Sequence, residues 1–472
     1  MCAACGVATH VPPPPVTTSE QIVAGPGTAA PGMVQPTATA GAVQPTGAVG
    51  TAPRFAALRS RDCRYFLGGT ALSMMADNIE HVITYWVLWQ AFHSPALAGF
   101  AVISHWVPFL LSVYFGGLAD RYDCRRVIQA AQALFMAVSV GWGVLFVTDS
   151  LTVWFACILL VVHGIAGALW GPAEQLMLHD FVDRPALPSA VRLNATARSL
   201  GILFGPVVGS ALLIGLGPTA GIFVNVAIYL PLTVFLARTR FTGHVRGDEA
   251  DVRSTQVSAF DAIRVIREVS SNATLVSMIA IGGLGSFFIG ASLQSAMPIF
   301  AMDLQAGNAG VVYSVLLFAH GAGGVIGGLL LEVTGRIGPT VRAAIVSTLV
   351  YGAAMLGFAV TGSYVAAIVL LVIGGTANLA SMSISQTIVQ LLAPSQIRGR
   401  VIGVYGMAAN GLRAGSGLTV GLLGGIVGVH WSLAVSGAAL TAGTALVAGY
   451  VALARSRAAV TLAAPGLSAT RG

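Results

Sequence analysis

The 472-residue chain contains no lysine, and charge of either sign is scarce: 24 arginines and 17 acids make up 9% of it. Soluble domains run near one quarter charged, so an ordinary water-soluble globule is excluded. The five cysteines, Cys2, Cys5, Cys63, Cys124 and Cys157, show no disulfide framework and no paired CxxC sets with zinc spacing. No metal site or redox role is expected from them. No GxxxxGKS/T, HExxH or GxSxG motif occurs, which excludes an ATP-driven pump in a single chain and leaves no enzyme activity, catalytic residue or cofactor to expect. What is present is apolar surface: 56% hydrophobic residues, 58 glycines and a mean hydropathy of +0.82. Lipid must be the solvent for most of it. The net charge of +7 implies no nucleic-acid partner, and its distribution is more informative than its size.

Residues 1–53 are rich in Pro, Ala, Gly, Thr and Val, with one acid, Glu20, and no periodicity. They read as a disordered tail, extended here to residue 57, without the basic start and apolar core of a cleaved leader and with Met33 as an alternative start. From Cys63 onward, apolar runs of about 20 residues or more, long enough to cross a bilayer, alternate with short polar breaks. Twelve are predicted, at 64–92, 96–119, 127–148, 151–181, 189–216 and 218–238, then 273–303, 308–333, 341–361, 363–393, 400–427 and 431–455. Apart from Arg198 and Arg413, the arginines lie before segment 1 or near the end of an even-numbered segment. Positive charge marks the cytoplasmic face, so both termini are expected to be cytoplasmic.

The longest interior connection, residues 239–272, carries a charged cluster from Arg246 to Arg253 and an amphipathic stretch from Phe260 to Val269. It reads as a cytoplasmic linker with an amphipathic helix between six-segment halves, 58–238 and 273–455, with a tail at 456–472. The halves echo each other at an offset of 212: Gly116 with Gly328, Asp120 with Glu332, Gly205 with Gly417 and Gly209 with Gly421. Internal duplication of this kind is a transporter signature.

After segment 2 the chain reads Gly116-Gly-Leu-Ala-Asp120-Arg121-Tyr-Asp-Cys-Arg125-Arg126, and the second half holds Gly328-x-Leu-x-Glu332-x-x-Gly335-Arg336. This resembles the loop 2–3 signature of the major facilitator superfamily. A small residue lets two helices approach, and an acid at a helix end meets the positive N-terminus of a neighbour. The resemblance implies a conformational latch made of Gly116, Asp120, Arg121, Arg125, Arg126, Glu332 and Arg336; the alternative is that the arginines only set topology. Segment 5 carries Gly205-Pro206-Val-Val-Gly209-Ser210, similar to a helix-bend motif of antiporter branches, with simple helix packing as the alternative. Leu193-Asn194 through Gly209, and Arg398 to Met407 leading into segment 11, resemble the enterobactin-exporter and macrolide-efflux branch over about residues 58–455. Segment 4 has His163 and Gly164 where better-known drug and proton antiporters carry a membrane arginine.

Segment 1 contains Asp77, Asn78, Glu80 and His81 near its middle, and helical spacing puts Asp77, Glu80, His81 and Thr84 on one face. A charge at the bilayer centre costs about 2.5–3.5 kcal/mol even on the lenient insertion scale, so such a group needs a cavity, partners or protons. Asp77, Glu80, His81 and Glu174 are therefore the proton-coupling candidates; a permanent Glu80–His81 pair and a Glu174 pair with Arg198 or Arg192 are the structural alternatives. His105, Arg198, Gln294, His320, Asn378 and Arg413 are the substrate-contact candidates, with Trp86, Trp89, Trp142, Trp154 and Trp170 as stacking surfaces or interfacial anchors.

The expected protein is an all-α integral membrane protein of the major facilitator fold, with twelve transmembrane helices in two six-helix halves. It is expected as a monomer in the bacterial inner membrane. The function expected is export of an amphipathic small organic molecule, drug or siderophore-like, in exchange for protons by alternating access. A proton symporter or facilitative importer is the alternative within transport, and a membrane receptor without flux the alternative outside it. Its partners are the substrate, protons and the lipid bilayer.

Overall fold

The computed structural model describes residues 54–244, 261–290, 292–335 and 337–463. The tail through residue 53, the Arg246–Arg253 cluster, Arg336 and the chain beyond residue 463 lie outside the described residues. The apolar segments are helical where described, since a helix satisfies its own backbone N–H and C=O groups away from water.

Helix α1 spans Arg61–Phe92 and starts at Ser60, whose side chain accepts from the Cys63 amide. Helix α2, Pro95–Trp106, gives way at Val107-Pro108 to a 3-10 turn and then to α3, Ser112–Arg121. Pro108 supplies no amide to the helical ladder there. Helices α4, Cys124–Val147, and α5, Val153–Phe181, begin at the caps Asp123 and Thr152. Helix α6, Leu187–Arg238, is broken at Gly217, whose φ of 76° suits glycine alone, and the break divides the segments predicted at 189–216 and 218–238.

The amphipathic α7, Asp261–Ser270, meets α8, Ala273–Phe288, at a bend of 118°. Val265 and Val269 are buried against the second half, while Ile263 and Ile266 face outward. There follow α9, Ser292–Asp303; α10, Ala309–Thr334; α11, Val341–Val360; and α12, Tyr364–Leu392. Helix α13, Arg398–Ala409, passes through a 3-10 turn at Gly411–Gly415 and a π turn at Gly417–Leu422 into α14, Leu423–Val427. Helix α15 runs from Val429 to Ala463, past the boundary expected at residue 455.

Among the described residues, eight helices are long and apolar enough to cross a membrane. Helix α1 is not one of them; Asp77, Asn78, Glu80 and His81 lower its hydropathy. Large apolar side chains such as Trp154, Ile214 and Leu446 are exposed, as lipid contact requires. The buried cores belong mainly to one half or the other, but Ile402 joins a core of the first half and Val113 one of the second.

Residues 55–57, assigned to the tail by composition, pack instead. Ala57 is fully buried at the start of a 3-10 turn, its amide donates to Ser189 Oγ at 3.2 Å, and the Phe55 amide donates to Glu332 at 2.7 Å. Their ordering comes from distant partners, which composition does not report.

Candidate functional site

The acids of α1 find their partner on α5. His163 Nε2 stands 2.8 Å from Asp77 Oδ1 and its Nδ1 stands 2.8 Å from Glu80 Oε1, with all three side chains buried. Glu80 also accepts from Ser139 Oγ of α4, which lies 3.4 Å from Asn225 Nδ2 of α6. The pair offered as the structural alternative, Glu80–His81, is not formed: the nearest acid to His81 Nδ1 is Asp77, 3.9 Å away. Its ring meets those of His105 and His163 at 4.8 and 4.9 Å, and that of Tyr85 at 5.2 Å.

The two 2.8 Å contacts of His163 need two N–H donors or a protonated carboxyl, whereas a neutral imidazole supplies one N–H. Both contacts are hydrogen bonds when the trio holds one proton more than a neutral imidazole with two carboxylates. One imidazolium between two carboxylates leaves a charge of minus one, far less costly to bury than two bare acids.

Helix α6 fixes the position of α1. Gly201, Gly205 and Gly209 recur every four residues, and a Cβ on any of them would press into Ala71, Asn78 or Ile79 of α1. Pro206 sits within helical backbone, and the non-helical residue of α6 is Gly217. The motif thus acts here as a packing surface directly behind Asp77 and Glu80.

At the arginine-rich end the two halves are tied twice, each time through an acid near a helix end. Asp120, ending α3, accepts from the Gly399 and Arg400 amides of α13 at 2.5 and 3.0 Å, with the Arg400 side chain 3.9 Å away. Its counterpart Glu332, near the end of α10, accepts from Arg192 Nε of α6 at 2.8 Å and from Ser189 Oγ. Gly116 backs onto Gly399 and Gly328 onto Thr196 so closely that a Cβ would overlap either neighbour. Gln390 also donates to Gln175 across the halves at 2.8 Å.

The cations beside the two acids are Arg192 and Arg400, while Arg121, Arg125 and Arg126 do not reach them. Arg121 lies exposed over the Tyr122 ring, Arg125 bonds Asp123 and the Thr239 carbonyl, and Arg126 is exposed. An acid in a helix end can take backbone N–H groups, so the adjacent arginines are free to face outward.

Glu174 stands apart from the histidines. It pairs with Arg198 at 2.6 Å and accepts from Asn194 at 2.9 Å, and Arg198 lies over the Trp170 ring. Arg413 stacks over Trp106 at 4.7 Å instead of meeting an α1 acid. Trp106 in turn touches His105 at 4.6 Å, so a chain of rings joins the histidines to the second half where the helix breaks face each other. Arg413 and Asn378 line one small void with Tyr351 and Ser381, and His320 is half-buried on α10 with no hydrogen bond to Nε2. The Gln294 side chain lies outside the described residues.

Beyond Tyr85, a groove of about 680 Å³ opens between α1 and α6, lined by Val82, Tyr85, Trp86, Trp89, Leu213 and Ile214. Trp86 and Trp89 were legible as stacking candidates; Tyr85, which links the groove to His81, carried no signal of its own.

A family model described as transmembrane secretion effector matches residues 52–464. The chain is 21% identical over 302 residues to the staphyloferrin A transporter of Staphylococcus aureus (strain NCTC 8325 / PS 47), covering 62% of this chain and 72% of that one. It is 23% identical over 375 residues to the multidrug efflux pump Tap of Mycolicibacterium fortuitum, covering 76% of this chain and 88% of the pump. Its fold is similar to that of the E. coli fucose:proton symporter FucP, with a TM-score of 0.63 and 12% identity over 82% of this chain and 98% of that one.

Proposed function

The chain belongs to the transmembrane secretion effector family of the major facilitator superfamily, and from that membership we propose that it exports an amphipathic small organic molecule in exchange for protons. It is an integral membrane transporter and not an enzyme. The observation that carries proton coupling is His163 held between Asp77 and Glu80. Efflux as the direction draws on relatives that include a multidrug efflux pump.

In this reading the chain crosses the bacterial inner membrane twelve times, with both termini cytoplasmic, and works as a monomer. Residues 58–238 and 273–455 rock about the midplane. The Asp120 and Glu332 latches close the cytoplasmic side, and the substrate occupies the aromatic groove next to Tyr85. A further proton on the trio neutralises it and turns one of the two 2.8 Å contacts from a charge-paired into a weaker hydrogen bond, which loosens α1 from α5. The ring chain His105–Trp106–Arg413 carries that change to the second half. Substrate and the extra proton favour opposite conformations, and that difference is the coupling.

The test is movement of a dye, a macrolide and a catecholate siderophore in inverted membrane vesicles, with a pH gradient imposed and then collapsed. Uptake that disappears with the gradient supports exchange for protons. Uptake that ignores it contradicts the coupling, and movement in the reverse direction would identify a symporter.

A further inference from the structure

We infer that Asp77, His81, His105 and His163 form a binding site for one divalent transition-metal ion of the zinc class. The four come from α1, α2 and α5, and one ligand atom from each lies within 4.8 Å of all the others. Three imidazoles and one carboxylate are a donor set that suits zinc, and no cation other than a transition metal favours three imidazoles.

Two observations beyond proximity point to a ligand. His81 Nε2 and His105 Nδ1 are buried and have no hydrogen-bond partner. A buried donor or acceptor left unsatisfied is costly, and here two rings 4.8 Å apart both carry one. His105 Nδ1 is free to take an ion, and His81 can offer Nδ1, already 3.9 Å from Asp77, or turn its free Nε2 toward it.

The surroundings supply the outer shell that metal-binding histidines need. Glu80 holds His163 through Nδ1 and leaves Nε2 directed at Asp77, while Ser139 bonds the other side of Glu80. A carboxylate behind a ligating imidazole fixes the ring and its tautomer. Charge agrees as well, because Asp77 and Glu80 together balance a divalent ion. His163 Nε2 and Asp77 Oδ1, now 2.8 Å apart, would separate to roughly 3.3 Å around a tetrahedral ion with bonds of about 2.0–2.1 Å. That is a small rotation of either side chain.

An ion here clamps α1, α2 and α5 together, and so arrests export; this consequence alone rests on the proton-exchange reading above. The test uses purified full-length protein without a histidine tag, with no gradient. Zn²⁺ is measured by equilibrium dialysis, and Co²⁺ by the visible absorption of a tetrahedral site. One ion per chain is expected, weakened more than about tenfold in His81→Ala and in His105→Ala and by roughly 10- to 100-fold in Glu80→Gln. His430→Ala, remote and paired with Asp303, keeps the ion. His81→Gln and His105→Gln serve where an alanine variant fails to fold. Binding as tight in these variants as in the unaltered protein, or no stoichiometric binding, overturns the site. In vesicles, export that stops on adding Zn²⁺ and resumes with a chelator supports the clamp, and export indifferent to bound Zn²⁺ overturns it. Gradient dependence is read separately in chelator, so a failure of proton coupling leaves the metal result standing.

Discussion

Arg192 on α6 and Glu332 on α10, 140 positions apart in the chain, meet at 2.8 Å with both side chains buried. The pair ties the first half to the second, as does the bond from Asp120 to the start of α13. Because Glu332 also accepts from the Phe55 amide, the residues just before α1 are tied to the contact between the halves.

Removing one partner of a buried ion pair typically costs about 3–5 kcal/mol, since the other charge is left stranded. Glu332→Ala is therefore expected to populate the conformation open at the arginine-rich end. Labelling of a cysteine placed at Gln390, against Gln175, should accelerate in that background. An unchanged labelling rate would contradict the latch.

Gly116→Leu places a side chain where the Gly399 carbonyl lies. Overpacking costs about 1–3 kcal/mol, here borne only by the closed state, so turnover is expected to fall by about tenfold or more while the protein still inserts. Normal transport rates in this variant would show that the close approach of α3 and α13 is not part of the cycle.

Gly116, Gly328, Asp120 and Glu332, which the structure places against the opposite half, stood out by their spacing and by the offset of 212. The cations did not. Arg192 and Arg400 sit on partner helices far along the chain, whereas Arg121, Arg125 and Arg126 are adjacent in sequence and turn away. The same limit applies to the polar cluster. Helical spacing put Asp77, Glu80 and His81 together, but their main partner, His163, lies on another helix and drew notice only as a departure from a family pattern. The Glu174–Arg198 pair was among the alternatives read from sequence, because both residues are intramembrane charges of opposite sign with few other partners.

Trp86→Ala and Trp89→Ala remove aromatic faces from the groove beside Tyr85. An aromatic contact contributes about 0.5–1.5 kcal/mol, so each variant should raise the KM of a flat amphipathic substrate by about three- to tenfold with little change in the maximal rate. Unchanged KM in both would move the substrate elsewhere.

Asp77→Asn keeps the side-chain shape but leaves His163 with one carboxylate. Accumulation driven by a pH gradient is expected to disappear while thermal stability stays near that of the unaltered protein. Gradient-driven accumulation at the normal level would remove Asp77 from the coupling.

The central claim is that His163, held between Asp77 and Glu80, carries the proton that drives export. The direct measurement is substrate accumulation in inverted vesicles by His163→Gln, with an imposed pH gradient, alongside exchange between internal and external substrate with no gradient. Loss of gradient-driven accumulation with exchange retained is the predicted result. Accumulation in His163→Gln equal to that of the unaltered protein would contradict the account.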